Sequence, residues 1–195
     1  MGKLIFPFVL MLLTVQGFSQ KTKILNGDLS FLKEASSVHL SFTYDDLMVG
    51  KMKEKDYISK RKSEAEKKEA GSGEKWEESW KNDRTRTFEP FFEKRINEEV
   101  ENISFSSNNP AEITLNVATT FIEPGFNVGV ASKNAYINLT YTFSDKNGKN
   151  LATIEMLKIP GRDAMGVDFD TSWRISEAYN KAAKELGKMI KKTIK

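Results

Sequence analysis

Apolar and polar positions alternate through four stretches of the chain. In SSVHLSFTYDD, Val38, Leu40, Phe42 and Tyr44 fall on one side, and His39, Ser41, Thr43 and Asp45 on the other. That is the period of a half-buried strand. EITLNVATTFI repeats it with Ile113, Leu115, Val117 and Phe121 on the apolar face. AYINLTYTF does so with Ala135, Ile137, Leu139, Tyr141 and Phe143. LATIEMLKI is less regular, with Ala152, Ile154 and Met156 on one side and Leu151, Glu155 and Leu157 on the other. Asn147-Gly148 joins the last two runs with a tight-turn signal. The last three strands are therefore expected to form an antiparallel meander.

Between the first and second strands the period changes. Trp76 and Trp80 are four residues apart and share a helix face. Phe88, Phe92, Ile96, Val100 and Ile103 continue at core spacing, and Phe91 broadens the stripe. Pro90 either kinks one long helix or opens a second, with Thr87 as its cap. A last helix carries Ile175, Tyr179, Ala182, Leu186, Met189 or Ile190, and Ile194 on one face, with Asp170 or Thr171 as its cap. The order β-α-β-β-β-α predicts an α+β fold. Its simplest form is a two-layer sandwich, a mainly antiparallel four-stranded sheet with helices on one face. The other sheet face would present His39, Ser41, Thr43, Thr114, Asn116, Tyr136, Asn138, Thr140 and Thr142 to water.

Two segments fall outside this scheme. Residues 51–73 are densely charged with few apolar positions, and read as a solvated helical or mobile insertion in one domain spanning 20–195. Residues 1–19 read as a cleaved signal peptide. Lys3 precedes the apolar run LIFPFVLMLL, and TVQGFSQ places the cleavage after Ser19 or Gln20. That run is shorter than the ~20 residues of a spanning helix. The expected location is periplasmic or secreted, with no integral span after cleavage.

Composition narrows the chemistry. The chain of 195 residues has no cysteine, one histidine and a net charge of +3. Disulfides, a Cys nucleophile and lipid attachment at a Cys are excluded, and zinc is poorly served. Nearly balanced charge together with export argues against a nucleic-acid partner. His39 lacks an oriented nucleophile motif. Asp163, Asp168 and Asp170 share a loop with two glycines, but their spacing is not that of a calcium loop. Gly125 and Gly129 make no phosphate fingerprint. No catalytic, cofactor-binding or metal-ligating set emerges.

The signal ending in FSQ, the stretch TTFIEPGFNVGV and the stretch PGRDAMGVDFDTSWRISEAYNKAAKELGKMI resemble small, uncharacterised exported proteins of the Bacteroidota, a domain of unknown function. The resemblance is clearest from Trp76 onward and weakest over residues 51–70. It implies an envelope setting and supplies no site residues.

The stretch EPGFNVGVASKN remains. It spans about a dozen residues where hairpin loops usually take 2–5. Phe126, Val128 and Val130 alternate along it as if the strands ran on beyond the sheet. The leading expectation is a non-enzymatic module that binds an envelope protein through these three residues. A small-molecule or glycan binder, on the sheet face or beside Trp76 and Trp80, is the alternative. A hydrolase using Glu123, Asp163 and Asp168 is a further one.

Overall fold

The computed structural model describes residues 20–127, 131–162 and 171–195. The expected signal peptide (residues 1–19), Val128, Val130, Asp163, Asp168 and Asp170 lie outside them.

The class is α+β, but the sheet is larger than four strands and it is mixed. Its strands are β1 (Lys21–Gly27), β2 (Ser37–Thr43), β3 (Met48–Val49), β4 (Met52–Lys53), β5 (Ser104–Ser106), β6 (Ile113–Glu123), β9 (Tyr136–Asp145) and β10 (Asn150–Pro160). The main path runs β1-β10-β9-β6-β2-β5, and β3 pairs with both β4 and the end of β6. A separate short hairpin, β7 (Phe126–Asn127) with β8 (Ser132–Lys133), extends the β6–β9 connection.

The expected meander is present: β6, β9 and β10 pair antiparallel. Asp145 closes its tight turn by accepting the backbone N–H groups of Asn147 and Lys149, at 2.8 and 2.9 Å. Gly148 adopts the positive φ that the turn requires. β2 departs from the expectation, because it runs parallel to β6 and to β5. The chain leaves β2, passes through three helices and returns, and such a crossover brings it back in the same direction. β1 has no alternating burial signal because all seven of its residues are exposed at the sheet edge.

The inward face of the meander is buried as the alternation implies, with one revision. A register shift between Thr119 and Phe121 inserts an extra residue in β6. Thr119 pairs with inward-facing Leu139, whereas Phe121 pairs with outward-facing Asn138. Thr119 is buried on the inward face, where its hydroxyl lies 2.6 Å from that of Tyr179, and Ile122, paired with Ile137, is buried in the place expected for Phe121. Phe121 stacks instead on Tyr136, centroids 5.2 Å apart, on the polar face.

The helices are α1 (Glu54–Glu66), α2 (Ser72–Asp83), α3 (Glu89–Glu99) and α4 (Thr171–Ile194), with a π-helical turn (Arg84–Phe88) joining α2 to α3. Pro90 has no N–H for the carbonyl four residues back and its ring crowds that carbonyl, and the wider turn before it relieves both. Thr87 lies inside that turn and caps nothing. Phe88, Phe92, Ile96, Val100 and Ile103 are buried as their spacing predicts. They share one core with Ile175, Tyr179, Ala182, Leu186 and Ile190 of α4. At Gly187 a Cβ would come within 2.5 Å of the Glu99 Cβ, so glycine sets the close approach of α3 and α4.

The charged insertion is ordered as α1, which buries none of its residues. It lies against α2 through aromatic rings. Tyr57 meets Trp76 and Trp80 at 5.8 and 5.1 Å, and the tryptophans stack on each other at 5.8 Å.

Candidate functional site

Three segments distant in sequence converge at one end of the sheet. The β3–β4 turn and α1 form one wall, the end of β6 and the start of the β7–β8 hairpin form the second, and the first turn of α4 the third. They enclose an open cleft of about 430 Å³.

The hairpin wall depends on Gly125. Its φ is +71°, and a Cβ there would come within 2.8 Å of the Lys133 carbonyl oxygen and the Ala135 nitrogen. The chain can therefore leave β6, turn at Pro124-Gly125 and pair Phe126 with Lys133. Phe126, the described member of the expected contact set, does not return to the core. It lines the cleft with 45% of its surface exposed.

Below it, Glu123 is nearly buried and ion-paired with Lys133. The carboxylate beside it raises the Lys133 pKa by hydrogen bonding to the charged ammonium. Glu123 also lies within 3.4 Å of the Gly125 N–H. A carboxylate engaged by a cation and a backbone donor is held as a structural anchor, which disfavours its use as a base. The two aspartates expected to accompany it lie outside the described residues.

Arg174, buried at 5% exposure, reaches from α4 across to Pro124. Its Nε lies 3.4 Å from the Pro124 carbonyl oxygen and its Nη2 3.1 Å from the Thr171 hydroxyl. Arg61 projects from α1, with Nη1 2.8 Å from Glu64 Oε2 and its guanidinium 5.7 Å from the Trp76 ring centre. Lys51 and Lys60 complete the cationic lining.

A second hollow of about 400 Å³ shares Tyr57, Arg61 and Thr171 with the first. Ser79, Asp83, Thr87 and Ser172 make it polar, and half-buried Trp76 forms part of its wall. Trp80 is buried, and its indole N–H donates to Glu54 Oε1 at 2.7 Å. Glu54 in turn pairs with Arg84 at 2.5 Å. Arg84 lies 4.1 Å from the Tyr44 ring centre, and the Tyr44 hydroxyl donates to Glu89 Oε1 at 3.2 Å. Burial pushes the Tyr44 and Tyr179 pKa values well above the usual phenol range, so both remain neutral donors. This polar seam ties the helical hairpin to the core.

His39 pairs with Thr114, at the opposite end of β6 from Glu123, on the polar sheet face, with Nδ1 3.0 Å from the Asn109 carbonyl oxygen. Among the described residues no group of three or more His, Cys, Asp or Glu side chains could hold a metal. No described helix is long and apolar enough to cross a membrane.

That Lys51, Arg61 and Arg174 line the same cleft as Phe126 could not be read from the sequence. The three cations come from separate segments, and no local pattern links them. The over-long hairpin was the one visible signal.

No family model matches this chain, and no curated protein does. Solved structures similar to it include two forms of one assembly. A PelC dodecamer from Paraburkholderia phytofirmans is 10% identical, covering 87% of this chain and 98% of that one, with a TM-score of 0.43. A single-substitution variant of the same dodecamer is also 10% identical, covering 84% and 96%, with a TM-score of 0.39.

Proposed function

We propose that this chain is an exported, non-enzymatic module that binds a protein partner at the cleft beneath the β7–β8 hairpin. The observation that carries the reading is Phe126, a large apolar side chain 45% exposed on the cleft wall, on a hairpin outside the main sheet. Solvent-facing aromatics at a concave edge are what interface anchors are made of. The engagement of Glu123 by Lys133 supports a binding role over a hydrolytic one.

A photo-crosslinking residue at position 126, compared with one at exposed Lys146, tests the reading in intact cells. One discrete adduct from position 126 alone, competed by the unlabelled protein but not by its Phe126→Ala variant, is expected. Identical adducts from both positions, or none, would remove it. Export is checked separately by the mass of the mature chain, which should begin at Gln20 or Lys21.

A second reading is favoured by the polar hollow beside Trp76. Its hydroxyls, its carboxylate and a partly open indole suit a small polyhydroxylated ligand. Saturation-transfer NMR with a panel of neutral oligosaccharides would detect it.

A further inference from the structure

We propose that the cleft selects an acidic peptide segment of the partner, one in which an apolar side chain is flanked by carboxylates. This rests on the reading above and names the chemistry that the same site takes. The first support is the balance of charge. Among the described residues four cations, Lys51, Lys60, Arg61 and Arg174, line the cleft against two carboxylates, Glu64 and Glu123.

Both carboxylates already have cations. Arg61 lies 2.8 Å and Lys60 3.9 Å from Glu64, and Glu123 is held by Lys133 from outside the lining. Lys51 makes no ion pair among the described residues. Among the described residues Lys51, and the excess of Lys60 and Arg61 over Glu64, leave the lining with net positive charge, and low-dielectric walls concentrate the field of such charge.

The second support is the character of the walls. Met52, Pro124 and Phe126 supply an apolar rim beside the cations. A basic cleft without that rim would suit an inorganic anion, and an apolar cleft without the cations would suit a neutral hydrophobic side chain. The two together match a segment that presents one apolar residue to Phe126 and carboxylates to either side. The volume of about 430 Å³ admits one or two side chains rather than a folded domain. The remainder of the partner would lie outside, along the exposed face of α1.

The opposing surface also fits. Lys60 and Arg61 are exposed on a helix none of whose residues is fully buried. Interaction between such rim charges and an acidic segment should raise the association rate and fall with added salt.

The test is selection of displayed random heptapeptides on the immobilised full chain, at low and at high salt. The expected result is enrichment of Asp and Glu around one aromatic or aliphatic residue. The selected peptides should lose affinity about tenfold for Lys60→Glu or Arg61→Glu, and again for Phe126→Ala. Circular dichroism of each variant confirms that it folds. Should Arg61→Glu fail to fold, Lys51→Glu, on the exposed β3–β4 turn, carries the same comparison.

Enrichment of basic or neutral sequences would overturn the proposal. So would no enrichment at all, or binding that is indifferent to the charge reversals. Oligogalacturonate is titrated in parallel. If it binds at the cleft while no acidic peptide is enriched, an acidic glycan replaces the peptide. An adduct at position 126 without acidic selection would defeat this inference and leave the partner-binding reading standing. Loss of both would defeat both.

Discussion

The layer formed by α3 and α4 and the hairpin formed by α1 and α2 are held by different forces. α4 buries ten of its residues against the sheet and α3, whereas α1 buries none. The first region is secured by removing apolar surface from water. The second puts Trp80 in the core and sets Tyr57, Ile58 and Trp76 only partly buried against it, and relies besides on ring contacts between Tyr57 and the two tryptophans and on ion pairs such as Lys62 with Glu74 at 2.6 Å and with Glu77 at 3.0 Å. Exposed ion pairs contribute ~0–1 kcal/mol each, and a buried Phe or Leu several times that. The cleft lies between the two regions, with one wall on each.

The largest effect that could break this contrast is a truncation in the first region. Phe92 is fully buried and meets Phe42 and Tyr141 at 5.8 and 6.1 Å. Phe92→Ala should cost ~3–5 kcal/mol in urea unfolding, because the cavity it leaves is walled by the sheet. A cost under ~1 kcal/mol would mean that the α3–α4 layer is no better packed than the hairpin.

What the sequence made legible follows the same division. The inward residues of β9 and β10 and the stripe from Phe88 to Ile103 carry their burial in their spacing, because each packs against one broad apolar layer. Pairing direction is not written in an alternation, so the parallel setting of β2 in a sheet expected to be mainly antiparallel was not legible. The bulge that turns Phe121 outward and Ile122 inward has no sequence mark, and buried Thr119 before it needs a partner inside. That partner is the Tyr179 hydroxyl, sixty residues away. The cleft was less legible still. Only Phe126 and the length of its hairpin pointed there, while the cations depend on contacts between distant segments.

The Thr119–Tyr179 pair gives the next effect. Tyr179→Phe keeps the ring stacked on Phe88, centroids 5.1 Å apart, and strands the Thr119 hydroxyl in the core. The expected cost is about 1–2 kcal/mol. Adding Thr119→Val, which removes the stranded group, should recover most of it. Failure to recover would show that the hydroxyl of Tyr179 matters instead through its hydrogen bond with the Tyr44 hydroxyl.

A smaller effect probes the seam between the two regions. Desolvation raises the Glu89 carboxyl pKa, and the hydrogen bond from Tyr44 offsets this only in part. A raised carboxyl pKa means that ionisation costs more in the folded chain than in the unfolded one. The cost is absent below the unfolded value of about 4.3, grows as pH rises towards the folded value, and is complete above it. Glu89→Gln keeps an acceptor for Tyr44. It should therefore stabilise the protein at pH 7 and change little at pH 4. Thermal melts at both pH values decide it. A loss at pH 7 would mean that attraction to Arg84 outweighs desolvation.

The smallest expected change in stability belongs to Phe126, and its smallness is the point. A side chain that served the fold would cost stability when cut back, as Phe92 should. Phe126 is nearly half exposed and lies outside the core cluster, so Phe126→Ala should alter unfolding by less than about 0.5 kcal/mol. The same substitution should remove the position-126 contact with a partner. A variant that folds as well as the parent but no longer binds would assign Phe126 to recognition. A stability loss above ~1.5 kcal/mol would instead show that the hairpin folds back on the protein, and the cleft would then be a by-product of packing.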